Sequence, residues 1–104
     1  MGHGLKIYNL DVVTLTSGTA SQASSTALPS YSAIITAEAS NTGNVYIGDA
    51  SVSITKGIPI EPGNTLTIAV NEPNRYSEVD ISDIYIITST TGNKVRVSCL
   101  RRKA

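Results

Sequence analysis

The sequence predicts an all-β fold: a small antiparallel β-sandwich or barrel, jelly-roll-like, of about seven or eight strands. Three observations carry this expectation. The apolar stretches are dominated by the β-branched residues Val, Ile and Thr, whose stiff side chains favour pleated strands over helices. Turn residues recur at intervals of roughly ten positions, the spacing of short strands in a sandwich. No strand–helix–strand alternation is visible, which disfavours a parallel α/β sheet.

Taken in order, Leu5–Thr16 reads as a strand, with Leu5, Ile7, Val13 and Leu15 alternating against polar neighbours. Residues 17–30 are a low-complexity run of Ser, Ala, Thr and Gly in which Leu28 is the one bulky side chain, and they read as a long mobile loop or extended arm. Tyr31–Ala39 is a strand, Asn41–Asn44 a turn, and Val45–Ile47 a short strand. Val52 and Ile54 alternate with hydroxyl residues and predict another strand. Ile58-Pro59-Ile60 is expected at a sheet edge, because Pro59 has no N–H to give a ladder. Pro62-Gly63 fits the centre of a type II turn. Thr65–Val70 alternates cleanly, and Asn71–Ser77 is a polar loop. Val79–Asp83 predicts one helical turn with Asp80 as its N-cap. Ile84–Thr88 is nearly continuous in apolar residues, as a central strand would be. After a hairpin loop over 89–93, Lys94–Leu100 places Val95, Val97 and Cys99 inward.

The 104 residues form a single β-domain, and its composition limits its chemistry. Ser and Thr number 13 and 12, while charged residues make up 15%, so the outer strand faces are hydroxyl-rich. Such a surface solubilises weakly and suits subunits that pack together. Eight basic and eight acidic residues cancel, which disfavours a uniformly basic nucleic-acid binder. No apolar run is long enough for a transmembrane helix, and the first residues lack the pattern of a secretory signal, so synthesis in the cytoplasm is expected.

Catalytic signals are weak. The sole His is His3, beside two glycines at the terminus, so a Ser-His-Asp or Cys-His arrangement has no base. Cys99 reads as a buried structural thiol. Glu72, Glu78, Asp80 and Asp83 are the one acidic group that raises a calcium site, but their spacing does not match an EF-hand loop. No catalytic residue, cofactor or metal is therefore expected. Tyr46 and Tyr85 read as half-buried core. Tyr8, Tyr31 and Tyr76 read as exposed or interfacial, where Tyr is enriched. Three of the eight basic residues, Arg101, Arg102 and Lys103, fall in the last four positions, predicting a basic tail over 101–104.

Four segments in succession, Asn41–Gly48 (NTGNVYIG), Gly57–Gly63 (GIPIEPG), Asp80–Ile87 (DISDIYII) and Lys94–Leu100 (KVRVSCL), resemble small all-β bacteriophage proteins encoded among virion structural genes. The resemblance spans roughly residues 31–100 and is to capsid decoration and head or tail accessory proteins. It implies a non-enzymatic virion protein that forms homo-oligomers, trimers first, and bridges the major capsid protein or other virion subunits. The absence of a long apolar run and the zero net charge predict no membrane partner and disfavour a nucleic-acid partner. The contacts are expected at Leu5, Ile7, Tyr8, Leu28, Tyr31, Arg101, Arg102 and Lys103. The alternatives are a neck or tail accessory protein, or a carbohydrate-binding β-sandwich module. The last predicts tyrosines side by side on one face; a decoration protein predicts an apolar or hydroxyl-rich flat base.

Overall fold

A computed structural model describes residues 4–69 and 78–102. Its organising element is the last strand, β11 (Lys94–Arg102), whose alternation of buried Val95, Val97 and Cys99 with outward Lys94, Arg96 and Ser98 fixes which way its neighbours face. On one side β11 pairs antiparallel with β5 (Ser32–Ala37), and β5 with β8 (Thr65–Ala69). On the other side it pairs with β1 (Leu5–Asn9) and then β2 (Val13–Thr14), which together form one edge of this first sheet. Between β1 and β2, Leu10–Val12 lie opposite Arg96 and Val97, three residues against two, so a β-bulge interrupts what the sequence reads as one strand.

The second sheet runs β3 (Ser21–Gln22), β10 (Tyr85–Thr88), β6 (Val45–Gly48) and β7 (Ile58–Ile60), all antiparallel. The apolar strand β10 is interior to it, and β7 with Pro59 is at its edge, as expected. A short pair, β4 (Pro29–Ser30) with β9 (Val79–Asp80), closes one end. The two main sheets bury Ala33, Ile35, Ala37, Val95 and Val97 of the first against Val45, Ile47, Ile60 and Ile86 of the second. The protein is therefore all-β and fits a small β-sandwich.

Three expectations need correction. Residues 17–30 are a loop, not a projecting arm. Ala23, Ser24, Leu28 and Ser30 are buried, and the segment carries β3 and β4. Small residues let its backbone dock closely: Ala23 N–H donates to Ile84 C=O at 2.8 Å and Gly18 N–H to Thr88 C=O at 3.0 Å. Residues 51–55 do not form a strand; only an isolated bridge joins Ser53 to Lys56. Val52 is buried instead against Gly57, where an added Cβ would come within 2.7 Å of Val52 Cγ2. Arg101 and Arg102 are the last residues of β11, paired with Lys6 and Leu5, rather than a solvated tail. Lys103 and Ala104 lie outside the described residues.

Turn chemistry agrees with the sequence. Gly63 has φ +85°, and Asn64 N–H closes the turn onto Glu61 C=O at 3.0 Å. The 3-10 turn Ile81–Asp83 is capped by Asp80, as predicted.

Asn93, after the β10–β11 hairpin loop, is buried and tied into both sheets. Its Nδ2 donates to Thr42 C=O and to Thr88 Oγ1, each at 2.8 Å, and its Oδ1 accepts from Thr42 N–H at 2.9 Å. Its carbonyl accepts from Leu15 N–H at 2.8 Å. Replacing it leaves buried polar groups unpaired, at about 1–3 kcal/mol. Asn93→Ala is thus expected to lower unfolding stability by about 2–3 kcal/mol in urea titration, with Asn93→Asp no better because Thr42 C=O would then face a second acceptor.

Candidate functional surface

The first sheet is longest where β11 outruns β5. Pairing with β5 ends at Leu100–Ser32, whereas β1 continues to pair with Arg101 and Arg102. The result is a ribbon of β1 and β11 at one end of the sheet, with Pro29–Tyr31 alongside β11, where Tyr31 N–H donates to Leu100 C=O at 2.8 Å. Every residue of β1 is exposed: Ile7 by 67%, Leu5 by 41% and Tyr8 by 39%. Because Leu10 N–H donates to Val97 C=O, the antiparallel alternation turns the backbone groups of Lys6 and Tyr8 toward β11. The N–H and C=O groups of Leu5, Ile7 and Asn9 then face the open edge.

The ribbon has two unlike faces. Leu5 and Ile7 share the outer face with Leu100, directly across from Ile7, and with half-buried Ile34 on β5. The rest of that face mixes hydroxyls with the charged side chains Lys94, Arg96 and Glu38, the last two paired at 3.0 Å. Ser98 Oγ bonds Asn9 Oδ1 at 2.9 Å, and the Oγ1 atoms of Thr36 and Thr65 lie 2.9 Å apart. The inner face carries Lys6 directly opposite Arg101. Arg101 lies over the Tyr8 ring, 5.3 Å from its centroid, and its Nε donates to Pro29 C=O at 3.3 Å. Arg102 lies over Tyr31, 5.7 Å from the centroid, and donates to its hydroxyl. Beside the inner face a shallow groove of about 500 Å³ runs between the β1–β2 edge and residues 22–28, with Tyr8, Leu10, Val12, Gln22, Thr26 and Leu28 among its lining.

Of the residues expected to make contacts, the structure brings Leu5, Ile7, Tyr8, Arg101 and Arg102 together. Two are corrected. Leu28 belongs to the hydrophobic core and only borders the groove. Tyr31 is buried, its hydroxyl held by Arg102, so it supports the ribbon from beneath instead of facing a partner. Lys103, Tyr76 and His3 fall outside the described residues. Sequence reasoning missed the groove, whose walls are distant in the chain, and the pairing of Lys6 with Arg101.

Tyr46 and Tyr85 are half-buried, as expected, but on the outer face of the second sheet and not in the core. Val45 and Ile47 are in the core, so Tyr46 points to the outer face of the second sheet, opposite Ile87 and Pro59. Tyr85, two residues before Ile87, shares that face and is likewise half-buried. The signal was in the alternation: with Val45 and Ile47 inward, Tyr46 had to face out.

Among the described residues no three His, Cys, Asp or Glu side chains gather as a metal site. Glu72 lies outside the described residues, and Glu78 and Asp83 are exposed. Asp80 is engaged by the fold. Its Oδ1 accepts from Leu28 N–H at 2.9 Å, Ser82 N–H at 3.0 Å and Ser82 Oγ at 2.8 Å. Cys99 is fully buried, as the sequence predicts. Comparison of the chain with protein-family models, curated proteins and solved structures finds no match.

The bond from Leu28 N–H, followed by those from Ser82, holds the Asp80 carboxyl below the ordinary aspartate value of 3.8. Its contribution is therefore full above about pH 4 and is lost as pH falls through the lower folded-state value. Asp80→Ala is expected to cost about 1–2 kcal/mol at neutral pH, as loss of a cap does. The gap to wild type should narrow below about pH 4 in pH-dependent urea unfolding; a gap unchanged by acid would contradict the bonds described.

Proposed function

We propose that this chain is a non-enzymatic structural subunit of a bacteriophage virion, first a capsid decoration (cement) protein. It forms homo-oligomers, trimers favoured, and bridges capsid subunits. The observation that carries the reading is the exposed apolar pair Leu5 and Ile7, continued by half-buried Leu100, at one end of an outer sheet face that otherwise carries hydroxyls and the charged side chains Lys94, Arg96 and Glu38. A large β-branched side chain left 67% in water gains roughly 1–2 kcal/mol if a partner covers it fully. The four resembling segments supply the virion context, and a bridging subunit suits it because rupture must break several contacts together. A neck or tail accessory protein would use the same surface.

A second reading has its own support. Tyr46 and Tyr85 on one sheet face are what a carbohydrate-binding module presents to sugar rings. Their partial burial, with Ile87 closed off beneath them, favours the packing reading.

Size-exclusion chromatography with light scattering tests the proposal at low and physiological salt. The expected result is a trimer that Ile7→Asp converts to monomer. Wild-type protein monomeric in both salts would overturn it. Shifts of Tyr46 and Tyr85 signals on adding oligosaccharides, with no oligomer, would install the sugar-binding reading.

A further inference from the structure

We infer that the open edge of β1 accepts an extended acidic segment of a neighbouring protein as an added antiparallel strand, with carboxylates facing Lys6 and Arg101 and β-branched residues facing Leu5 and Ile7. The inference rests on the reading of this end as a protein-packing surface and names the chemistry of what docks there.

Three features converge on β1 and its neighbour Arg101. The first is the backbone. Leu5, Ile7 and Asn9 present N–H and C=O groups along an edge that no other described strand covers, the requirement for strand addition. The second is charge. Lys6 and Arg101 are direct cross-strand neighbours on the inner face, and like charges so placed repel. Among the described residues the single ion pair is Arg96–Glu38, elsewhere on the sheet. Arg101 is held in place by Tyr8 and Pro29, so the repulsion is built into a braced arrangement and a carboxylate opposite Lys6 relieves it. The third is shape. The groove, to which β1 contributes Tyr8, lies on the inner side of the same edge, where alternate side chains of an added strand would project; Asp11 is in its lining toward β2, so the carboxylates are placed at the Lys6–Arg101 end.

These features also select among occupants. An inward-pointing Lys on an edge strand discourages pairing with neutral or basic strands, a common guard against self-association through an edge. Against an acidic strand the same Lys becomes the selective contact. A polyphosphate would use the cations but neither the backbone edge nor the apolar side chains, so a protein strand fits more of the site.

The test is an NMR titration of the full ¹⁵N-labelled chain with a capped peptide, Val-Glu-Val-Glu-Val, whose glutamates share one face when extended. Expected are amide shifts over residues 4–10 and 100–102, and slowed exchange of the Ile7 N–H. Lys6→Glu should weaken binding by at least about tenfold, and Val-Lys-Val-Lys-Val should bind that variant in preference to wild type. The reordered peptide Glu-Glu-Val-Val-Val should bind more weakly than the alternating one. No shifts, shifts centred on the β8 edge, equal binding of both peptide orders, or tighter binding of a short single-stranded DNA at the same cations would overturn the inference. Oligomeric state is read separately on the unliganded wild type. A monomer that binds the peptide keeps this inference and removes the decoration reading; a trimer that does not bind it does the reverse.

Discussion

The structure depends on the strand β11 being longer than the neighbour it packs beside. Its nine residues face six on β5, and two of the three extra, Arg101 and Arg102, are at the C-terminal end. Over Lys94–Leu100 the alternation has one stable setting: Val95, Val97 and Cys99 must face the second sheet, since a slip by one residue would bury Lys94, Arg96 and Ser98 in their place. That setting dictates the rest of the sheet. Ile35 and Ala37 face inward because they lie opposite Val97 and Val95, and Ile7 faces outward because it lies opposite Leu100. Beyond Leu100 the regular ladder continues on the β1 side, while on the other side Pro29–Tyr31 and the Tyr8 ring steady Arg101 and Arg102. The exposed ribbon follows from the same register that makes the core.

The sandwich has to hold with modest material. Its core is built from Ile, Val, Ala and Leu, with neither Phe nor Trp in the chain, so no single side chain fills the space between the sheets. Polar ties at the ends compensate. Asn93 joins the hairpin loop to the β5–β6 turn and to Leu15, while Asp80 draws Leu28 against the 3-10 turn. The Asn93–Thr42 and Asp80–Leu28 pairings join residues 51 and 52 positions apart, and they close the sandwich at places where ladder bonds do not reach.

Much of this was legible where the chemistry is local. Pro59 marks an edge because it lacks a donor, Pro62-Gly63 marks a turn because of backbone angles, and Asp80 caps because its side chain reaches two residues on. Legibility fails where the partner is distant. Residues 17–30 look like an arm because they have little bulk, yet their backbone docks on Ile84, Thr88 and Asp80. Val52 and Ile54 alternate like a strand but have no ladder to join, and Val52 finds its place against two glycines instead. Arg101 and Arg102 look like a tail by charge alone; their pairing with β1 requires knowing the register of a strand nearly the whole chain away. Of the contact surface, Leu5, Ile7 and Tyr8 could be read from a strand too apolar on both sides, whereas the cationic pair Lys6–Arg101 appears only once β1 and β11 are aligned.

On the proposed reading, the function lies in a rigid, half-apolar, half-cationic strand offered to other proteins, and that requires β1 to be folded onto β11 in the isolated chain. Residue-resolved hydrogen exchange on dilute protein tests this most directly. The account predicts slow exchange for the N–H groups of Lys6, Tyr8 and Leu10, which point into the sheet, and fast exchange for Leu5, Ile7 and Asn9, which point to the open edge. Uniformly fast exchange over residues 5–10 would contradict it, because the ribbon would then not exist as a preformed surface.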